Sequence, residues 1–151
     1  MFKHILLPTD GSSQSEDIVR KGLEFARIVG ASVTGFHVAE EHVPIFAVKD
    51  ANYAKQGMAL MENYDLETAI QALSFVEVAA NDAGVNCDCY CTRDQSIHEA
   101  IVRVAKERRC DLIWMTSGGR KGFPGFLSED NMDEVLKGCD IPVMVYRQSE
   151  E

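Results

Sequence analysis

Short apolar runs and amphipathic stretches take turns along this chain, and the alternation predicts its elements. Lys3 to Pro8 (KHILLP) is an apolar run closed by the turn cluster Thr-Asp-Gly-Ser-Ser, which predicts a buried strand. Apolar positions then recur at Ile18, Gly22, Phe25 and Val29, with Val19, Leu23 and Ala26 widening the stripe, as on one face of a helix. Ser13 and Glu16 have the S-x-x-E spacing of a capping box at its start, and Gly30 stands where it should stop. Ala31 to Val38 (ASVTGFHV), β-branched and aromatic, predicts a second strand.

Residues 39–61 contain a proline and several apolar residues but keep no period, so neither element nor role is assigned to them. The helical period returns from Tyr64 through Leu66, Ile70, Leu73 and Ala80, and ends near Gly84. In the third predicted strand, Val85 to Thr92, Val85, Cys87, Cys89 and Cys91 share one face, while Asn86, Asp88 and Tyr90 share the other. One apolar and one mostly polar face suggest a strand at the edge of a sheet. Ser96 with Glu99 repeats the capping box before a helix marked by Ile97, Ile101 and Val104. Asp111 to Met115 (DLIWM) predicts a fourth strand. Ser128 to Leu136 predicts a short helix with Met132, Val135 and Leu136 inward, Gly138 following. Ile141 to Tyr146 (IPVMVY) predicts the last strand, and residues 148–151 a frayed tail.

Strands alternating with helices imply βαβ units, hence an α/β fold with a mostly parallel sheet covered on both faces. Ligands of such sheets bind beyond the carboxyl ends of the strands, where the strand order switches. The loops after the first and fourth strands lead from those ends.

Composition narrows the function classes. A chain of 151 residues suits one domain with one substantial core. Its formal net charge of −9 repels nucleic-acid phosphates and anionic lipid, so neither is expected as a partner. No apolar run approaches the about 18–20 residues that span a bilayer. The start, MFKHILLPTDG, lacks the small-residue cleavage site of a signal peptide, and a cytoplasmic location is expected. Five cysteines, an odd number, fit that compartment. Three of them form Cys87-x-Cys89-x-Cys91, at a strand spacing of about 6.6–7 Å that is too wide for easy disulfides and awkward for one tetrahedral zinc. They are read as reduced strand hydrophobes, and no metal site is expected.

Taken together, ILLPTDGSSQSE, GASVTGFHV, CDLIWMTSGGRKG and DIPVMVYR resemble the universal stress protein family from end to end, over residues 1–147. The resemblance implies one domain of adenine nucleotide alpha hydrolase-like fold, with five parallel strands in the order 3-2-1-4-5 and helices on both faces. It also implies a homodimer, commonly paired through the last strand. There Val143 and Val145 share one face and Met144 and Tyr146 the other, with no charge before Arg147 to discourage pairing at an open edge.

The segment from Thr116 to Asp130, TSGGRKGFPGFLSED, carries the functional question. One branch of the resembled family binds ATP through G-x-x-G, nine residues, then G-[S/T]. Glycines let backbone N–H groups approach phosphate, and the closing pair opens a helix whose positive end faces the anion. Here Thr116 takes the place of the first glycine, Gly119 is the second, and Arg120 to Ser128 keep the nine-residue spacing. The closing pair is Glu129-Asp130 instead of Gly-Ser. Two carboxylates suit a helix N-terminus, at roughly 0.3–1 kcal/mol each. At about 4 Å and an effective dielectric of about 20, each would repel a phosphate by about 4 kcal/mol, near a thousandfold in affinity. Arg120 and Lys121, or a bridging divalent ion, could offset part of this.

The adenosine half of the family pattern is kept in Pro8, Thr9, Asp10 and Val38, which the resemblance places around base and ribose. Asp10 can accept from a ribose hydroxyl or the adenine amino group, or can cap its own turn. Val38 can equally be core, and Gly118 and Gly119 can serve only the sharp turn after the fourth strand. His37 reads as a satisfied core histidine. Ser117 lacks the first glycine of G-x-S-x-G, and no catalytic residue is assigned. The favoured function is a dimeric regulatory stress module of the non-ATP branch that requires no cofactor. The alternative is an adenine-nucleotide module holding AMP, ADP or metal-bound ATP. Nucleotide hydrolysis ranks last, because no general base stands out.

Overall fold

From Ile5 to Pro8 every side chain of the first strand is buried, as its apolar run requires of a strand covered on both faces. The computed structural model describes residues 1–39, 46–48, 64–93, 96–116 and 129–146. Within them the strands are β1 (His4–Pro8), β2 (Ser32–Ala39), β3 (Phe46–Val48), β4 (Cys87–Arg93), β5 (Leu112–Thr116) and β6 (Val143–Tyr146). The helices are α1 (Ser13–Val29), α2 (Tyr64–Ala83), α3 (Ile97–Glu107) and α4 (Glu129–Gly138). Five strands are parallel in the spatial order β4-β2-β1-β5-β6, the order 3-2-1-4-5 of the parallel strands.

A sixth strand amends that expectation. β3, from the stretch given no element, pairs antiparallel with β4, matching Phe46 to Cys91, Ala47 to Tyr90 and Val48 to Cys89. The cysteine strand is therefore the edge of the parallel set but not of the whole sheet. Three residues are too few to show a period in sequence, while an open edge of N–H and C=O groups favours a partner strand.

Strand alternation divides the core between the two faces. Ile5, Leu7, Val33, Leu112 and Trp114 meet α1 and α2 through Val19, Leu23, Leu73 and Val76. Leu6, Phe36, Ile113 and Met115 meet α3 and α4 through Ile101, Val104 and Val135. α1 lies close on the sheet at Gly22, where a Cβ would stand 2.6 Å from Leu7 Cδ1 and 3.1 Å from the Trp114 ring. The same Trp114 donates its indole N–H to the Ile18 carbonyl at 3.1 Å, tying β5 to the helix backbone.

Two local expectations shift. α1 is capped by Ser12, one residue before the expected Ser13: Ser12 Oγ accepts from Ser15 N at 3.2 Å. In α4, Leu136 is 49% exposed where an inward position was expected. The inward stripe is Met132 and Val135, continued by Cys139 just past the helix end, which leaves Leu136 beside it on the rim. Gly30 ends α1 in the left-handed region at φ 75°, as expected of a C-terminal glycine.

Candidate functional site

Crossing from β2 on one side of β1 to β5 on the other creates the switch point, at the carboxyl ends of β1 and β5. Pro8 ends β1, and Thr9 and Asp10 follow it. Val38 lies near the end of the pairing between β2 and β4, opposite Thr92. Thr116 ends β5, opposite Tyr146. Glu129 and Asp130 are the first two residues of α4. The backbone thus brings Pro8, Thr9, Asp10, Val38 and Thr116 to the carboxyl end of the sheet. Gly118 and Gly119 lie outside the described residues, as do Arg120 and Lys121.

The loop after β1 is built from short polar bonds that fix one another's direction. Thr9 N donates to the Phe36 carbonyl at 2.8 Å, extending the pairing of β1 with β2 by one residue. His37, buried at 6% exposure, donates Nδ1–H to the Thr9 carbonyl at 3.0 Å, which sets its tautomer. Ser15 donates its hydroxyl to the Ser12 carbonyl at 2.7 Å. That leaves Ser15 Oγ as acceptor for the Thr9 hydroxyl at 3.0 Å, and Thr9 Oγ1 in turn accepts from Gly11 N at 3.2 Å. Every polar group of Thr9 therefore has a protein partner, as a residue 2% exposed requires. Thr9 holds the loop in shape instead of offering a free hydroxyl.

Asp10 closes the turn. Its Oδ1 accepts from Ser12 N at 2.8 Å, the Asx-turn role expected beside ribose recognition. Its carboxylate stays half-exposed next to the N-terminus of α1. Gly11, at φ 81°, needs glycine's freedom, and a Cβ there would meet Ala72 Cβ of α2 at 3.2 Å. Ser12, Ser15 and His37 are the loop-building residues that a search for ligand contacts overlooks. The serine pair is legible as S-x-x-S, one position before the S-x-x-E of the expected capping box.

The arrangement has a chemical consequence. α1 and α4 are the helices that follow the two switch-point strands, β1 and β5. Ser12 caps α1 with Asp10 beside it, and α4 begins with two acidic residues. At α1 the usual attraction of a helix start for phosphate is met by the chain itself. Two surface cavities of about 340 Å³ lie elsewhere, one between α1 and α2 around Arg20, Arg27, Phe75 and Asp82, the other between α3 and α4 around His98, Val102 and Glu134. Neither includes a residue of the predicted site. No helix among the described residues is long and apolar enough to cross a membrane.

Comparison with known proteins agrees with this architecture. A sequence profile of the universal stress protein family matches residues 1–147. Universal stress protein MJ0531 of Methanocaldococcus jannaschii is 26% identical over 148 residues, covering 98% of this chain and 84% of that protein. Among solved structures, a universal stress protein in complex with cAMP superposes with a TM-score of 0.67 at 18% identity, covering 98% of each chain. The universal stress protein from Archaeoglobus fulgidus in complex with dAMP gives 0.65 at 17% identity, over 96% of this chain and 97% of that one.

Proposed function

Because the chain belongs to the universal stress protein family, we propose that it is a small cytoplasmic regulatory module of the branch that does not bind ATP, acting as a homodimer. One observation carries the reading: Glu129 and Asp130 open α4 at the position where the family's ATP-binding branch has Gly-Ser. An ATP β- or γ-phosphate brought to that helix start meets like charge, a repulsion of about 4 kcal/mol per close pair. The start of α1, already capped by Ser12, supports the same conclusion.

A second reading is favoured by the neighbours solved with cAMP and dAMP, both adenine monophosphates. A monophosphate does not extend as far toward α4 as a triphosphate does. Pro8, Asp10 and Val38 would take the base and ribose, with Thr116, Gly118 and Gly119 nearby. Thr9 would position the loop.

Calorimetric titration with ATP, ADP and AMP, each with and without magnesium, tests both. The first reading expects no heat of binding with any of the three. Binding of AMP in preference to ATP supports the second. Tight ATP binding without metal overturns the role given to Glu129 and Asp130, and ATP binding that appears only with magnesium assigns them to a bridging ion.

A further inference from the structure

Among the described residues five polar side chains are buried: Thr9, Ser15, Thr34, His37 and Thr92. Four of them are bonded within the protein. Thr9 and Ser15 share the hydroxyl chain after β1, His37 reaches the Thr9 carbonyl at 3.0 Å, and Thr34 Oγ1 lies 2.6 Å from His4 Nε2. Thr92 is the exception. It is 1% exposed, and its Oγ1 has no hydrogen-bond partner among the described residues. A hydroxyl shut away from water without a partner is costly, and folded chains seldom keep one.

Its place in the sheet suggests what the hydroxyl is for. Thr92 is the last residue but one of β4, paired in register with Val38 of β2. Tyr90 packs in the α3/α4 core and Cys91 in the other, so strand alternation turns Thr92 toward the α3/α4 face. On β1, Pro8 pairs with Phe36, which brings Asp10 level with Val38. Asp10, Val38 and Thr92 therefore follow one another across three neighbouring strand ends, at the carboxyl end of the sheet. With about 4.8 Å between strands, Asp10 and Thr92 stand roughly 10 Å apart. One end of this row offers a hydroxyl that can donate or accept. The other offers a half-exposed carboxylate, whose bond to Ser12 N does not use up its acceptor sites.

Given that Glu129 and Asp130 oppose phosphate at the start of α4, the reading on which this rests, we propose that the row binds a neutral purine nucleoside. The Thr92 hydroxyl bonds the edge of the base, and Asp10 accepts from the ribose hydroxyls. A carboxylate welcomes hydroxyl donors but repels a phosphate, and a hydroxyl reads a base edge without needing charge. A purine with its ribose can bridge both ends of the row, whereas a free base reaches only one. Because Thr92 is closed to water, the base must displace the atoms that cover it, and the bond formed there replaces no hydration.

The test titrates the full chain calorimetrically with adenosine, adenine, AMP and ATP. Adenosine is expected to bind about tenfold more tightly than any of the other three. Thr92→Val keeps the branched shape and removes the hydroxyl. It should weaken adenosine about tenfold while the urea midpoint holds or rises, since an unpaired buried group has gone. Thr92→Ser, which keeps a hydroxyl, should retain most of the affinity. Adenosine affinity unchanged in Thr92→Val overturns the role of Thr92, and adenine binding as tightly as adenosine overturns the role of Asp10. No binding of adenosine by the parent chain overturns the proposal and leaves the exclusion of phosphate standing. AMP or ATP binding as tightly as adenosine shows instead that the exclusion itself has failed. The ligand series uses the parent chain, so its outcome does not depend on how either variant folds.

Discussion

His4 illustrates how much one side chain can depend on partners distant in sequence. It starts β1 with Nε2 2.6 Å from Thr34 Oγ1, and its backbone N–H donates to Asp111 Oδ1 at 3.0 Å. Burial holds its pKa below 6.5, and Arg108 adds to that, while Asp111 and Asp88 act against both. A lowered histidine pKa means that the unfolded chain takes up the proton first as pH falls. The contribution is therefore fully present above 6.5 and is lost as pH drops from there through the folded value. Unfolding free energy, measured with urea between about pH 7.5 and 5.5, should decline less steeply in His4→Gln than in the parent chain. The variant also loses the charge-neutral imidazole at every pH, so the slope is the informative quantity. Equal slopes would rule out the histidine. None of this is legible in sequence, because Thr34, Asp88, Arg108 and Asp111 become neighbours only through the sheet. Asp10 differs: its Asx-turn spans two residues, and a local bond of that kind can be read from Thr-Asp-Gly-Ser directly. The hydroxyl chain from Gly11 through Thr9 to Ser15 lies between these cases, local in sequence but dependent on the folded turn.

At the scale of elements, the long periodic segments are legible in sequence and the short or exposed ones are not. The stripes of α1, α2 and α3 fix which faces are buried, since 3.6-residue periodicity over several turns has few other causes. β3 escapes a sequence reading because three residues carry no period, and Leu136 is misplaced by one because a ten-residue helix leaves its stripe ambiguous by one position. Gly22 falls in the apolar stripe without a local reason for being glycine; the reason is tertiary. With 2.6 Å between a built Cβ and Leu7 Cδ1, and the Trp114 ring at 3.1 Å, α1 cannot keep its distance from the sheet if a methyl is added. Helix propensity alone would make Gly22→Ala stabilising by about 1 kcal/mol, whereas overpacking costs roughly 1–3 kcal/mol. Packing wins, because Trp114 is also held by its bond to Ile18 and cannot swing aside freely. Gly22→Ala is expected to unfold at lower urea concentration with an unchanged m-value. A higher midpoint would mean that helix propensity outweighs the contact.

At the scale of the whole molecule, the sheet treats its two edges differently. The β4 edge is covered along Cys89 to Cys91 by β3, which comes from residues 39–61. β6 pairs with β5 on one side, and on its other side no strand pairs with it among the described residues. It presents Met144 at 36% and Val145 at 39% exposure, apolar side chains on opposite faces. An edge of this kind, without a charge between Val143 and Tyr146, invites association. Pairing with a second copy about a two-fold axis would satisfy its free backbone groups and cover Val143 and Val145 together. The net charge of −9 opposes close approach of two copies, so the dimer should tighten as salt screens that repulsion. Light scattering at micromolar concentration is expected to give a mass near twice 16.8 kDa. Val145→Lys should shift the population toward monomer, by placing a charge in the interface, while leaving the helical circular dichroism signal in place. A parent chain that stays at 16.8 kDa in high salt would show that this edge is not a dimer interface.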